Sequence, residues 1–142
     1  MGNYSLDNNI GDPDDCKFLP DAVWTAQALP NATDLSSSVV QLARVQGALE
    51  FVLEADEDTT VADGATLTLS VIHDNSSAGP FSATKVVARY APSGSDQTFD
   101  AGDKIFRYVP DQDIDPYCIL VVTSSADQSG TKATGWLNRV SR

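Results

Sequence analysis

Residues 66–73 read Thr66-Leu-Thr-Leu-Ser-Val-Ile-His73. In an extended chain Leu67, Leu69 and Val71 share one face, and Thr66, Thr68 and Ser70 share the other. Side chains alternate across a strand, so this period of two predicts a β-strand with one buried side. The pattern recurs on both sides. Residues 48–55 place Leu49, Phe51 and Leu53 against Glu50 and Glu54. Residues 84–90 place Val86, Ala88 and Tyr90 against Lys85 and Arg89. Residues 104–109 set Ile105 and Val109 against Lys104, or Phe106 and Tyr108 on the opposite face. Residues 117–124, Tyr-Cys-Ile-Leu-Val-Val-Thr-Ser, form the apolar run expected of a strand covered on both sides. Residues 132–140 set Ala133, Gly135 and Leu137 against Trp136 and Val140. Shorter strands are predicted at 22–28 and 38–43. Residues 34–46 are the best helical candidate, but Ser36-Ser-Ser-Val-Val interrupts them.

The connectors agree with this pattern. Asp56-Glu-Asp-Thr-Thr, Asp74-Asn-Ser-Ser-Ala-Gly-Pro, Asp100-Ala-Gly-Asp and Ala126-Asp-Gln-Ser-Gly are turn chemistry. About eight strands, separated by turns at short intervals, predict an all-β antiparallel β-sandwich. The segment 1–21 reads instead as an extended N-terminal arm: Asp7, Asp12, Asp14 and Asp15 are mixed with Asn, Gly and Pro. Tyr4, Leu6, Ile10 and Phe18 are its scattered apolar anchors. Residues 22–142 then form a single sandwich domain.

Composition narrows the function. The chain has 142 residues, with 20 Asp+Glu against 9 Lys+Arg, for a formal net charge of −11. Phosphate neutralisation needs clustered Lys and Arg, so nucleic acid is not an expected partner. The 42% of hydrophobic residues supports one core, and their patterned runs exclude compositional disorder. No apolar stretch is long enough for a membrane helix. The N-terminus lacks the basic-then-apolar order of a secretory signal. Cys16 and Cys118 are too few for a disulfide scaffold, so free thiols made in a cytoplasm are expected, though a bridge between them is open.

Candidate chemistry is sparse. His73 is the only histidine, which removes multi-His metal sites. As a general base it would need a Ser, Cys or Asp partner; the simpler reading is a strand-end residue packed against a turn. Cys118 lies in the most apolar strand and reads as a buried hydrophobe rather than a nucleophile. Asp111, Asp113 and Asp115 are spaced two apart, so an extended segment would project all three from one face toward a Ca²⁺ ion. Neither this cluster nor Asp12-Pro-Asp14-Asp15 matches a calcium loop, and solvated loop charge is the preferred reading. Trp24 and Trp136 suit either sugar stacking or core and subunit contact. No catalytic constellation, cofactor motif or metal site emerges, and the chain is not expected to be an enzyme.

The succession of segments from about residue 22 to 142 resembles the small decoration (cement) proteins of tailed-bacteriophage capsids, in particular the Bordetella-phage type. The resemblance rests on Gln27-Ala-Leu, Asn31-Ala-Thr-Asp-Leu, Leu49-Glu-Phe-Val-Leu and Thr66-Leu-Thr-Leu-Ser-Val with Asp74-Asn-Ser-Ser. It continues through Asp100-Ala-Gly-Asp, Ile105-Phe-Arg-Tyr-Val-Pro110, Pro116-Tyr-Cys-Ile-Leu-Val-Val, Ser129-Gly-Thr and Thr134-Gly-Trp-Leu. The arm is longer than expected for the family. The resemblance implies a jelly-roll sandwich on the outer surface of a virion, made in the host bacterial cytoplasm. It also implies a protein that bridges major capsid proteins and pairs with itself as a dimer or trimer. Contact with capsid or sister subunits is expected at Tyr4, Leu6, Ile10, Phe18, Trp24, Asp111, Asp113 and Asp115. The alternative is a carbohydrate- or receptor-binding β-sandwich module of a phage fibre or cell-surface protein.

Overall fold

The computed structural model describes residues 21–41, 49–110 and 113–139. Along the chain the strands are β1 (Asp21–Ala28), β2 (Asp34–Ser36), β3 (Val40–Gln41), β4 (Leu49–Ala55), β5 (Thr59–Val61) and β6 (Leu67–Asp74). They continue as β7 (Ala83–Tyr90), β8 (Gln97–Phe99), β9 (Lys104–Tyr108), β10 (Tyr117–Ser124) and β11 (Lys132–Arg139). One sheet has the order β1-β11-β4-β9. The second has the order β2-β10-β6-β7, with β3 also on β10, and β5 pairs with β8 in a small ribbon. Every strand pair is antiparallel. The expected all-β sandwich is therefore what the chain forms. Residues 34–36, inside the helical candidate, are strand.

The apolar alternation decides which side of each sheet faces in. Leu67, Leu69 and Val71 of β6 are fully buried beside Cys118, Leu120 and Val122 of β10. Phe51 and Leu53 of β4 meet them from the first sheet, together with Ala133 and Leu137 of β11. Each such large side chain stabilises the fold by roughly 1.5–3 kcal/mol. Gly135 opens a notch in β11: a Cβ there would lie 3.0 Å from the Trp24 ring and 3.2 Å from that of Phe51. The two rings meet edge to face, 5.9 Å apart. Tyr90 of β7 crosses between the sheets. Its hydroxyl donates to the Ile105 carbonyl at 2.6 Å, while its ring packs on Phe99 and Phe106 at 5.0 and 5.3 Å.

Three expectations need correction. Trp24, placed at a contact surface, is only 7% exposed; β1 delivers it to the core beside Gly135. Val86 does not share the inner face with Ala88 and Tyr90. An extra residue, Val87, sits between the Leu69–Ala88 and Ser70–Val86 pairs. This bulge turns Val87 toward the core and leaves Val86 60% exposed. In the same register Lys85 lies opposite inward-facing Val71. A second bulge, between Leu53 and Glu54 of β4, lets β9 bury Ile105 and Phe106 together, while Val109 is exposed.

Filling the Gly135 notch should be costly. Gly135→Ala is expected to destabilise the protein by about 1–3 kcal/mol. Phe51→Ala, which leaves a cavity, is expected to cost about 3–5 kcal/mol. Urea unfolding followed by tryptophan fluorescence measures both.

Candidate functional site

The sandwich has two ends, and the loops divide between them. At one end lie residues 29–33, 56–66, 91–103 and 125–131. These loops contain Asp56, Glu57, Asp58, Asp63, Asp96, Asp100, Asp103 and Asp127, and no Lys or Arg. Their carboxylates are mostly occupied by neighbouring N–H and O–H groups. Asp63 accepts from the Gly94 N–H at 2.8 Å, and its own N–H donates to Asp96 at 2.9 Å. Asp58 accepts from Ala101 at 3.0 Å, Asp103 from Asp100 at 2.8 Å, and Glu57 from Lys132 at 3.0 Å. The Ser129 hydroxyl and then its N–H hold the Asp127 carboxyl below the usual range. Acidic residues here act as loop staples, because a carboxylate accepts several charge-assisted bonds from backbone donors. Among the described residues no three His, Cys, Asp or Glu side chains gather as metal ligands.

The opposite end is where β1 begins and where residues 109–116 run. Asp21 lies in one cross-strand row with Leu137, Phe51 and Tyr108, so β1 begins at the end where β9 stops. Asp113–Pro116 turns rather than extends, so Asp113 and Asp115 do not project from one face of an extended segment. Asp113 is exposed, and Ile114 is buried. Asp115 turns toward the sandwich, with its Oδ2 3.0 Å from Nδ1 of His73. The Asp115 N–H also points at that nitrogen, at 3.2 Å. One nitrogen serves one of these bonds at a time: protonated, Nδ1 donates to the carboxylate; bare, it accepts from the N–H. His73 is thus the strand-end residue packed against a turn. Asp111, Tyr4, Leu6, Ile10, Phe18 and Cys16 lie outside the described residues.

Cys118 is the cross-strand partner of His73. Cysteine, histidine and aspartate are therefore neighbours, a grouping that sequence distance conceals. Cys118 is a free thiol, 2% exposed, and burial pushes its pKa up to about 12.

The outward face of the first sheet carries Trp136 and two ion pairs. Lys104 meets Glu54 at 2.7 Å, and Arg107 meets Glu50 at 3.1 Å. The Lys104 ammonium stands 5.8 Å from the Trp136 ring centroid. Val52 also points outward, between Trp136 and Arg107 in the register, yet it is 2% exposed. Trp136 is half-buried, so it is one wall of this cluster rather than a free flat platform.

No family model, no curated protein and no solved structure matches the chain.

A buried thiol predicts its own reactivity. Cys118 is expected to resist a thiol-specific reagent in the native protein at pH 8 and to react at once in denaturant. Mass spectrometry of tryptic peptides, which separates Cys118 from Cys16, checks this.

Proposed function

We propose that this chain is a structural virion protein that decorates the outer surface of a bacteriophage capsid and stabilises it by bridging major capsid proteins. The observation that carries the proposal is that β1 begins and β9 stops at the same end of the sandwich. Residues 1–20 and 109–116 are the two segments expected to touch the capsid, and β1 and β9 bring their attachment points to one side of the sandwich. Val109, 42% exposed, adds an apolar side chain there. At the far end, short acidic loops stapled to themselves suit a surface turned to solvent.

Strand order supports the same proposal. The orders β1-β11-β4-β9 and β2-β10-β6-β7 support a jelly-roll reading, in which β2 and β3 count as one interrupted strand and the β5–β8 ribbon as an insertion. Segments that carry the sequence resemblance overlap strands of both sheets: residues 49–53 on β4, 67–71 on β6, 105–108 on β9, 117–122 on β10 and 134–137 on β11. The mechanism is linkage: a protein that binds only the expanded shell stabilises it by mass action, and many symmetric copies multiply modest contacts. The alternative, a carbohydrate- or receptor-binding module of a phage fibre or cell surface, draws on Trp136 beside Glu54 on the outward face of the first sheet. Binding on a glycan array, lost in Trp136→Ala, would favour it.

The capsid proposal is tested by co-sedimentation with expanded capsids that lack this protein. The full chain is expected to pellet with them and raise their melting temperature. A chain without residues 1–20 is expected to stay in the supernatant while keeping the near-UV circular dichroism of the intact sandwich. Binding by the shortened chain would exclude the arm as the contact.

A further inference from the structure

His73 sits where three elements meet. It lies on the same side of β6 as Leu67, Leu69 and Val71. Cys118 of β10 and Ala83 of β7 are its partners in the register. The turn 113–116 brings Asp115 to its ring. The side chain of His73 is 13% exposed and that of Asp115 is 34% exposed. Nδ1 of His73 lies 3.0 Å from Oδ2 of Asp115 and 3.2 Å from the backbone nitrogen of the same residue. The carboxylate is an acceptor and needs a hydrogen on Nδ1. The N–H is a donor and needs a bare Nδ1. No single protonation state of the ring makes both bonds.

The charged and titratable neighbours come from each element around the ring. On β10, Cys118 keeps its proton, because burial pushes the thiol up to about 12. On β6 itself, Asp74 lies on the other face of the strand and accepts from the Ser76 N–H at 2.8 Å. On β7, Lys85 stands level with Val71, two residues along from the Ala83 position. β3 adds the uncharged Val40 and Gln41. The first sheet reaches this end with the row Asp21, Leu137, Phe51 and Tyr108. On the turn, Asp113 is exposed, and Ile114, 2% exposed, pins the chain to the core. The choice between the two bonds is thereby confined to the peptide and side chain of Asp115.

We propose that His73 and Asp115 form a proton-operated latch on the turn 113–116. With the ring neutral, Nε2 carries the hydrogen, Nδ1 accepts from the Asp115 N–H, and the carboxylate is free to face solvent. When the ring takes up a proton, Nδ1–H donates to Oδ2, and the Asp115 N–H loses its acceptor. The turn is held in both states, but by different groups. Imidazole is the side chain that ordinarily changes charge between about pH 5 and 8, which suits it to this exchange. What this end of the sandwich offers to a partner changes with the proton. Without it there is a free carboxylate acceptor; with it there is a free backbone donor, and the new ion pair cancels one negative charge. This inference does not depend on the capsid proposal, and its test uses the free full-length chain.

Long-range proton–nitrogen NMR spectra of the imidazole, recorded with backbone amide spectra from about pH 5 to about pH 9, test it. Above the midpoint of the ring's titration, the Nε2–H tautomer with a bare Nδ1 is expected, and the Asp115 amide is hydrogen-bonded. Below it both ring nitrogens carry hydrogen, and the Asp115 amide signal shifts with the same midpoint. A neutral ring that keeps its hydrogen on Nδ1 overturns the proposal, because the carboxylate then holds it in both states. So does a ring that fails to titrate in this range, or an Asp115 amide that ignores the titration. Asp115→Asn supplies a second readout, since it keeps the N–H and removes the charged acceptor. Hydrogen-exchange protection of amides 113–115 is expected to match wild type above the midpoint and to fall by roughly fivefold below it. A merely structural contact would not distinguish the two protonation states. Equal loss on both sides of the midpoint, or no loss on either, therefore overturns the latch. If the variant does not fold, the wild-type spectra decide.

Discussion

Everything in this molecule depends on the burial of every second residue of β6 and β10 against the first sheet. Leu67, Leu69 and Val71 and their neighbours Cys118, Leu120 and Val122 leave almost no surface to water. A slip of one residue would carry Thr68 and Ser70 inward and turn three leucine or valine side chains out. The register is thereby fixed. Once it is fixed, the outward set follows without further choice: Thr68, Ser70 and Ile72 on β6, and Ile119, Val121 and Thr123 on β10. The same register puts His73 at the end of β6, level with the loop that carries Asp115.

The long strands were legible because their alternation is uninterrupted and their flanks are turn residues. What was not legible has specific causes. β5 and β8 are three residues each, set among Asp, Gly and Ser. Their local pattern is too short to register, and they exist because Val61 and Phe99 are buried in the common core. The bulge at Val87 is invisible in sequence, since Val86 and Val87 are equally apolar and only the pairing with Leu69 and Ser70 distinguishes them. Trp24 reads as core or subunit contact in preference to a sugar platform, but which of the two depends on the missing side chain of Gly135, more than a hundred residues away. His73 and Asp115 could each be singled out, but their bond spans 42 residues and needs the fold to exist.

Polar chemistry is distributed by the same logic. One end of the sandwich spends its carboxylates on its own backbone, holding turns such as the one at Gly102, where φ is +93° and an L side chain would be strained. The outward face of the first sheet pairs its charges, Lys104 with Glu54 and Arg107 with Glu50. Only the second sheet presents a neutral middle. Among the described residues, eight carboxylates lie in the loop segments of one end, and the broad faces differ sharply from one another.

The inward lysine and the bulge on β7 have a further consequence. Among the described residues β7 is the outermost strand of its sheet, with no further strand on its open side. A flat edge of this kind invites another chain to add as the next strand, and the addition repeats without limit. Val87 breaks the regular spacing of the edge, and Lys85, held level with Val71, would have to be carried into a dry junction by any strand that docked there. The edge is therefore guarded against open-ended sheet growth. At high concentration, a protein built this way stays a discrete unit rather than the seed of a fibre.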